Sequence, residues 1–521
     1  MKKNLLIAML CCAAAVSCSV DKQEFTPDKP ERSPEYTRGT ADPKEYIVTE
    51  DDVMDYLYTR YYAIDQHVYD FEKTENLYDL AIIKKRYNPK SSDVTFTAYP
   101  AEGVPSIYIV NYAGEKWEII SSDKRTAPVI GIGNGKLDLD ECTNTNMVGW
   151  IRDLADEIAY LHSYSGRLKN AEANISLWDA ISEHAEWIKF LITNYPHRSK
   201  PVGFGGEGAV GLHTRSEVSN IPCVDDTTQY HPVPGHWVLY TMVTFTVHSD
   251  DSGHLVSTKW SEDAPYNQYC PKDYENRRAK AGSDAVAGGQ IVKYMHTFTG
   301  DYPGVFSGAH CEAYFNGTDE IDWSYMEQTD QSPDNWSLFQ TSDSTRMAAV
   351  LLANIGTSMH LHYGLRNSWG YFDDLQYALS NIYGLTSFNI PFNSTDVDPY
   401  NEIQLMLYSG IPSIVHSGGS EGYPPYTFIV DRYEDMIKAT SVTYAFIADD
   451  PALWGEYYAI SPTYLICDQY LTNFGMNWGM GGQNDEALFI NSDAWHVYDA
   501  SSREALLSFR RDGSQPGDDV Q

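Results

Sequence analysis

Met476-Asn477-Trp478-Gly479-Met480-Gly481-Gly482 is the stretch on which the fold of this chain turns. Its glycines surround one tryptophan and mark a tight turn rather than a periodic element. Working outward, Thr427-Phe428-Ile429-Val430-Asp431 has the β-branched and aromatic content of a strand. Further upstream, Ala281-Gly282-Ser283-Asp284 leads into Ala285, Gly288, Val292 and Met295 at helical spacing, through Gln290-Ile291-Val292-Lys293-Tyr294. Ahead of that helix stand Thr258-Lys259-Trp260-Ser261-Glu262, Pro265-Tyr266-Asn267 and Cys270-Pro271. Ile321-Asp322-Trp323 with Met326, then Tyr363-Gly364, lie between the helix and the strand.

In that order the motifs resemble the streptopain family of papain-like cysteine peptidases. The most specific pieces are the Asn-Trp-Gly-x-Gly-Gly run at 477–482 and Trp260 with Pro265-Tyr266-Asn267. Nearer the N-terminus, Trp117-Glu118-Ile119-Ile120-Ser121-Ser122-Asp123-Lys124-Arg125 with Pro128-Val129 resembles that family's propeptide, a relative of the small inhibitors of such enzymes. The resemblance runs from about Tyr46 to Trp495. It implies an α+β fold, with a propeptide-like domain followed by a papain-like domain whose helical part faces a twisted antiparallel sheet.

A cysteine peptidase needs a thiolate at a helix N-terminus, where the dipole and an imidazolium lower its pKa. It also needs a histidine as base and acid, and a donor for the oxyanion. The resemblance puts these roles at Ser283 (nucleophile), Tyr426 (histidine) and Glu262 (oxyanion donor), and none holds the usual Cys, His or Gln. A serine hydroxyl needs a base to lose its proton. Tyrosine stays neutral and poorly basic until about pH 10. An ionised Glu262 would repel the developing oxyanion, where loss of a single donor already costs roughly 3 to 4 kcal/mol. Asn477 and Trp478 are retained where a papain-like fold orients its histidine, and opposite Tyr426 they are expected to preserve the packing of the turn. Ser283-Asp284 also reads as a helix N-cap and first-turn pair, a reading favoured over catalysis. Gly288-Gly289 weakens this helix and leaves room for a neighbouring side chain.

Other residues offer little to rebuild the site. His416 is expected at the start of a strand other than that of Tyr426. His360 and His362 would face one way if 359–363 were a strand, but they lack a third metal ligand and read as satisfied or exposed histidines.

The remaining sequence sets the cellular context. Met1-Lys2-Lys3, the apolar run from Leu5 to Val16 and Ala15-Val16-Ser17-Cys18 read as a lipoprotein signal peptide (residues 1–17), with Cys18 as the lipidated residue. Several acyl chains on that cysteine hold a protein where one would not. Residues 18–44 form a polar tether. A propeptide- or inhibitor-like domain spans 45–200, a Gly-rich linker and connecting strand 201–255, the peptidase-like domain 256–500 and a polar tail 501–521. In the first domain the pattern predicts helices over 51–62, 147–161 and 175–191, a hairpin over 107–120 and a strand at 129–132. The strand segment 237–247 precedes the second.

With 72 acidic against 37 basic residues and a net charge of -35, the chain has no cation excess for nucleic acid or anionic lipid. Membrane contact is expected through the lipid anchor alone. Asp138, Asp140 and Glu141 read as a solvated turn rather than a cation site. Cys142, Cys223, Cys270, Cys311 and Cys467 carry no metal-ligand spacing and read as single buried thiols. No cofactor or metal is expected. The resulting expectation is a lipid-anchored outer-membrane protein, periplasmic or surface-facing. It would be a pseudoenzyme that binds a peptide or a related peptidase. The alternatives are proteolysis through an atypical nucleophile such as Ser283, or inhibition of related peptidases by the N-terminal domain.

Overall fold

A computed structural model describes residues 42–62, 94–166, 168, 170–194, 233–297, 343–394, 397–418, 424–449, 458–460, 464–490 and 503–510. The lipobox with Cys18, the Gly-rich stretch 200–219, Ile321-Asp322-Trp323, Cys223 and Cys311 lie outside the described residues.

Helix α1 (Glu50–Tyr62) opens with three acidic residues, where the dipole favours negative charge, and buries Val53 and Leu57 one turn apart. Strands β1 (Val94–Tyr99), β2 (Ile107–Tyr112), β3 (Lys116–Ser121) and β4 (Val129–Asn134) form an antiparallel meander. The β2–β3 hairpin closes where Ala113 and Gly114 take φ of 51° and 71°, the left-handed geometry of tight hairpins. Helix α2 (Thr145–Leu161) is capped by Asn144, whose side-chain oxygen accepts the Met147 N–H at 3.0 Å. Met147, Trp150, Ile151, Leu154, Ile158 and Leu161 form its buried stripe. Helix α3 (Ala171–Asn194) packs against α1, and Thr59 donates to the Ile181 carbonyl at 3.2 Å.

Beyond residue 233 follow β5 (Gly235–Asp251) and the helices α4 (Ser283–Thr297), α5 (Asp343–Ser358) and α6 (Phe372–Asn381). Then come β6 (Leu385–Pro391), α7 (Pro399–Tyr408), β7 (Ser413–Ser417), β8 (Tyr426–Ala448) and β9 (Tyr458–Ile460). Strands β10 (Tyr464–Asn477), β11 (Leu488–Ile490) and β12 (Arg503–Arg510) complete the order. All twelve strands join one sheet in the order β1-β2-β3-β4-β11-β10-β8-β7-β12-β6, with β5 and β9 also on β8. The fold is therefore mixed helix and antiparallel sheet, as expected.

The meander enters the larger sheet where β4 meets β11, pairing Ile132 with Leu488 and Gly131 with Phe489. One core packs α2 and the meander against Phe428, Val430, Phe474, Met476, Trp478 and Leu507. A second joins α1, α3 and β1–β3 to Leu239 and Met242 of β5, Val442 of β8 and Cys467 of β10. Only a third, where α4, α5 and α6 cover Ile414, Ile429 and Leu506, draws solely on residues after 255. Strand alternation does the sorting: Tyr426, Phe428 and Val430 face α2, while Ile429 faces α4. Each fully buried Phe or Ile on these faces contributes roughly 1.5–3 kcal/mol.

Candidate active site

Ser283 is the first residue of α4, delivered by the turn at Ala281 and Gly282. The Ala281 N–H donates to the Glu262 carbonyl at 2.8 Å, which lays the 260–262 segment beside the helix start. Gly282 has φ of 90°, and a Cβ there would come within 2.9 Å of Leu361 and 3.1 Å of the Ser368 carbonyl oxygen. Both conformation and space therefore demand glycine. The capping expected of Ser283 is not found. The helix closes through the Val286 N–H and the Gly282 carbonyl at 3.0 Å, and the buried Ser283 hydroxyl has no hydrogen-bond partner among the described residues. Ser283 is helical, one residue too far along to cap.

Its neighbour Asp284 gathers a buried polar cluster. The carboxylate accepts the Thr427 hydroxyl at 2.5 Å and the Gly370 N–H at 3.2 Å, and lies 3.3 Å from His416 Nδ1. His416 Nδ1 is 2.8 Å from Thr427 Oγ1. Because Thr427 spends its own proton on Asp284, the short contact from His416 is Nδ1–H donating, which leaves Nε2 as an acceptor. The ring stacks on Phe372 with centroids 4.9 Å apart. His416 is on a different strand from Tyr426, as expected, but it is the fourth of five residues in β7 rather than the first. The antiparallel register pairs it with Thr427, and that pairing carries it to Asp284.

Glu262 is buried, with its backbone carbonyl bonded to Ala281, two residues before Ser283. Burial pushes its carboxyl up to about 7; Lys280, with Nζ 3.7 Å away, opposes the shift, while Asp263 and Asp284 add to it. Below that pH a neutral Glu262 can donate a hydrogen bond, and above it the carboxylate is repulsive to a developing oxyanion.

Tyr426 lies elsewhere. Its ring packs flat over Gly149 of α2, where a Cβ would come within 2.7 Å, and it stacks on Phe428. The hydroxyl donates to Asp153 Oδ2 at 2.6 Å, an oxygen that also accepts Ser417 at 3.0 Å and Arg503 Nε at 3.3 Å. Burial, with the Asp153 charge beside it, raises the phenol well above its ordinary value, so it stays protonated. Tyr426 and Thr427 thus project to opposite faces of the sheet, and the structure does not bring Tyr426 to Ser283. Nor does a hydrogen bond join Ser283 to His416 or Glu262 among the described residues.

Asn477 forms a reciprocal amide pair with Gln290 of α4, both contacts at 3.2 Å, and donates to the Thr258 carbonyl at 2.8 Å. Gln290 also accepts the Thr258 hydroxyl at 2.9 Å. Asn477 therefore ties the glycine-rich turn to the helix. Trp478 is fully buried against Phe428 and Phe489, with its indole N–H donating to the Asn484 carbonyl at 3.2 Å. The room left by Gly288 and Gly289 is taken by Leu375 and Leu352, core side chains of α6 and α5. His360 and His362 do not share a strand face: His360 has φ of 53°, and His362 forms one bridge to Trp369, stacked at 4.4 Å.

With this geometry in place, comparison with known proteins assigns the class. Residues 260–487 match the model of the Peptidase C10 family, which is the streptopain family. The match covers less than half of the chain, and it supports a cysteine-peptidase-like protein with a mixed helix and antiparallel-sheet fold. Among solved structures, the chain is similar to a mutant fragment of Prevotella intermedia prointerpain A at 15% identity and a TM-score of 0.41, covering 79% of this chain and 98% of that one. It is also similar to active wild-type Prevotella intermedia interpain A cysteine protease, at 21% identity and a TM-score of 0.32, covering 49% and 94% respectively. No curated protein matches the chain.

Proposed function

We propose that this chain is an exported lipoprotein, anchored through Cys18 to the outer membrane on its periplasmic or surface face. It keeps the peptidase frame without peptidase turnover and binds a peptide or a related peptidase. The observation that carries the reading is the position of Tyr426. The residue in the histidine position is a phenol bonded to Asp153 and raised by burial well above its ordinary value, on the face of β8 opposite Thr427 and Asp284. Ser283 is left without a hydrogen-bonded base, and above about pH 7 Glu262 adds a charge of the wrong sign for an oxyanion. Anchoring rests on the basic, apolar and Cys18 pattern of the N-terminus. Incubation of the purified protein with unfolded substrates and with serine- and thiol-directed probes tests it. No turnover and no mark on Ser283 are expected, with a peptide retained in a binding assay; labelling of Ser283 accompanied by turnover overturns it.

One observation favours proteolysis as a second reading. His416, with its proton held on Nδ1 by Thr427 and Asp284, has the tautomer a general base needs, and Asp284 is the residue that follows Ser283. Such activity would appear below about pH 7, where Glu262 is neutral and can donate. It would vanish in His416→Ala.

A further inference from the structure

The α2 helix carries a surface built for one partner. Gly149 presents bare backbone on which the Tyr426 ring lies, with no room for a Cβ. One turn on, Asp153 receives the Tyr426 hydroxyl at the far end of that ring, together with Ser417 of β7. A further turn on, Glu157 pairs with Arg503 of β12, both almost fully buried, and the guanidinium lies over Trp150 at 5.0 Å. At the other end of the helix, the Asn146 amide donates to the Trp478 carbonyl at 2.7 Å and to the Thr427 carbonyl at 3.4 Å. Asn144 donates to the Gln483 carbonyl at 2.7 Å. The capping residue, three turns of helix and the glycine-rich turn of the peptidase-like segment are therefore joined by directional contacts as well as by burial.

We propose that the length resembling a propeptide is a permanent half of this molecule, and that α2 forms a socket selective for tyrosine at position 426. Two further features point the same way. The sheet runs unbroken from β4 into β11, and the two cores that hold the meander are made from both halves. Removing residues 42–194 would expose Phe428, Phe489 and Trp478 together and leave Arg503 without Glu157 and Asp153. An interface of this kind, with an apolar centre and paired charges, stays associated without a covalent link. The socket is also filled in cis, so it is closed to the corresponding strand of another peptidase. A histidine in place of Tyr426 is too short to reach Asp153 across Gly149, so the fit is to this chain and not to a histidine-bearing relative. None of these contacts uses Ser283, so the presence or absence of turnover does not affect the docking.

The test uses the full chain with a site for a sequence-specific protease inserted between Lys200 and Ser219. After complete cutting, both fragments are expected to co-elute in gel filtration on dilution to nanomolar concentration. Separation into two species under native conditions overturns the permanent association. In the same cut chain, Tyr426→His is expected to raise the concentration at which the halves part by roughly tenfold or more, as for loss of a hydrogen bond to a charged group. Retention of the His variant equal to that of the parent overturns the selectivity. Should Tyr426→His fail to fold, Tyr426→Phe and Asp153→Asn remove the bond with the ring in place. They are expected to weaken retention in the same direction, and unchanged retention in both overturns the socket.

Discussion

Tyr426 and Thr427 are adjacent in sequence and belong to different halves of the molecule. Tyr426 is held by α2, through Gly149 and Asp153, within a core that the N-terminal length shares. Thr427 is held by Asp284 and His416 at the start of α4, on the face covered by the helical part. The first face carries a docking contact at the position where the resemblance expects a histidine. The second retains ionisable groups that the resemblance did not assign. A phenol held by Asp153 and a cluster of acid–base groups thus stand on opposite sides of β8, separated by the thickness of one strand.

The largest effect is expected from breaking the first face at its buried ion pair. Arg503→Ala leaves Glu157 and Asp153 without their cation and should cost about 3–5 kcal/mol, read as a fall in the urea midpoint. Asp153 also loses a donor, which adds to the same loss.

On the second face, Glu262 sharpens the contrast through pH. Its folded carboxyl is lifted from 4.5 to about 7, so the folded state holds a proton that the unfolded chain releases. Its stabilising contribution is complete below pH 4.5, falls as pH rises through that window and is gone above about 7, a difference on the order of 3 kcal/mol. Glu157 and Asp485, also raised to about 7 by burial, act in the same direction, while His184, lowered to about 4, acts in the opposite one. Glu262→Gln should therefore leave stability unchanged near pH 4 and increase it at pH 8. Paired urea titrations of parent and variant at the two pH values isolate this residue, and equal midpoints at pH 8 would contradict it.

A smaller effect is expected at Tyr426. Tyr426→Phe keeps the ring over Gly149 and removes the bond to Asp153, which retains Ser417 and Arg503, so about 1 kcal/mol should be lost on denaturation. The smallest is at Ser283. Ser283→Cys restores the thiol but not its base, so thermal stability should shift by less than about 0.5 kcal/mol, with no turnover of an unfolded substrate. Turnover in that single variant would show that a base already stands within reach.

Much of the local architecture was legible. The 107–120 hairpin follows from alternating apolar residues around Gly114, and α2 from an Asn cap ahead of a 3.6-residue stripe. The turn at Gly282 and the burial of Trp478 agree with the motifs that carry the resemblance. His416 escaped because its role depends on which residue of β8 it faces, and register across a loop is a non-local quantity. Ser283 was misread as a cap because the sequence cannot distinguish the last non-helical residue from the first helical one. Gln290 stood in a quoted motif, seven residues after Ser283 and hence on nearly the same helix face, a signal that periodicity alone contained. Gly149 and Asp153 gave none, since an ordinary glycine and acid on an amphipathic helix do not announce a receptor for a distant ring.

By itself the sequence determined the resemblance to the family, the presence of Ser, Tyr and Glu at positions 283, 426 and 262 where that resemblance expects Cys, His and Gln, and the acidic charge balance. These are properties of residue identity and short-range spacing. Only the tertiary structure decided that Tyr426 serves α2, that His416 joins Asp284, and that the propeptide-like length shares its cores with the rest. Those outcomes rest on strand register and on which face each side chain takes, and a shift of one residue along β8 would exchange them.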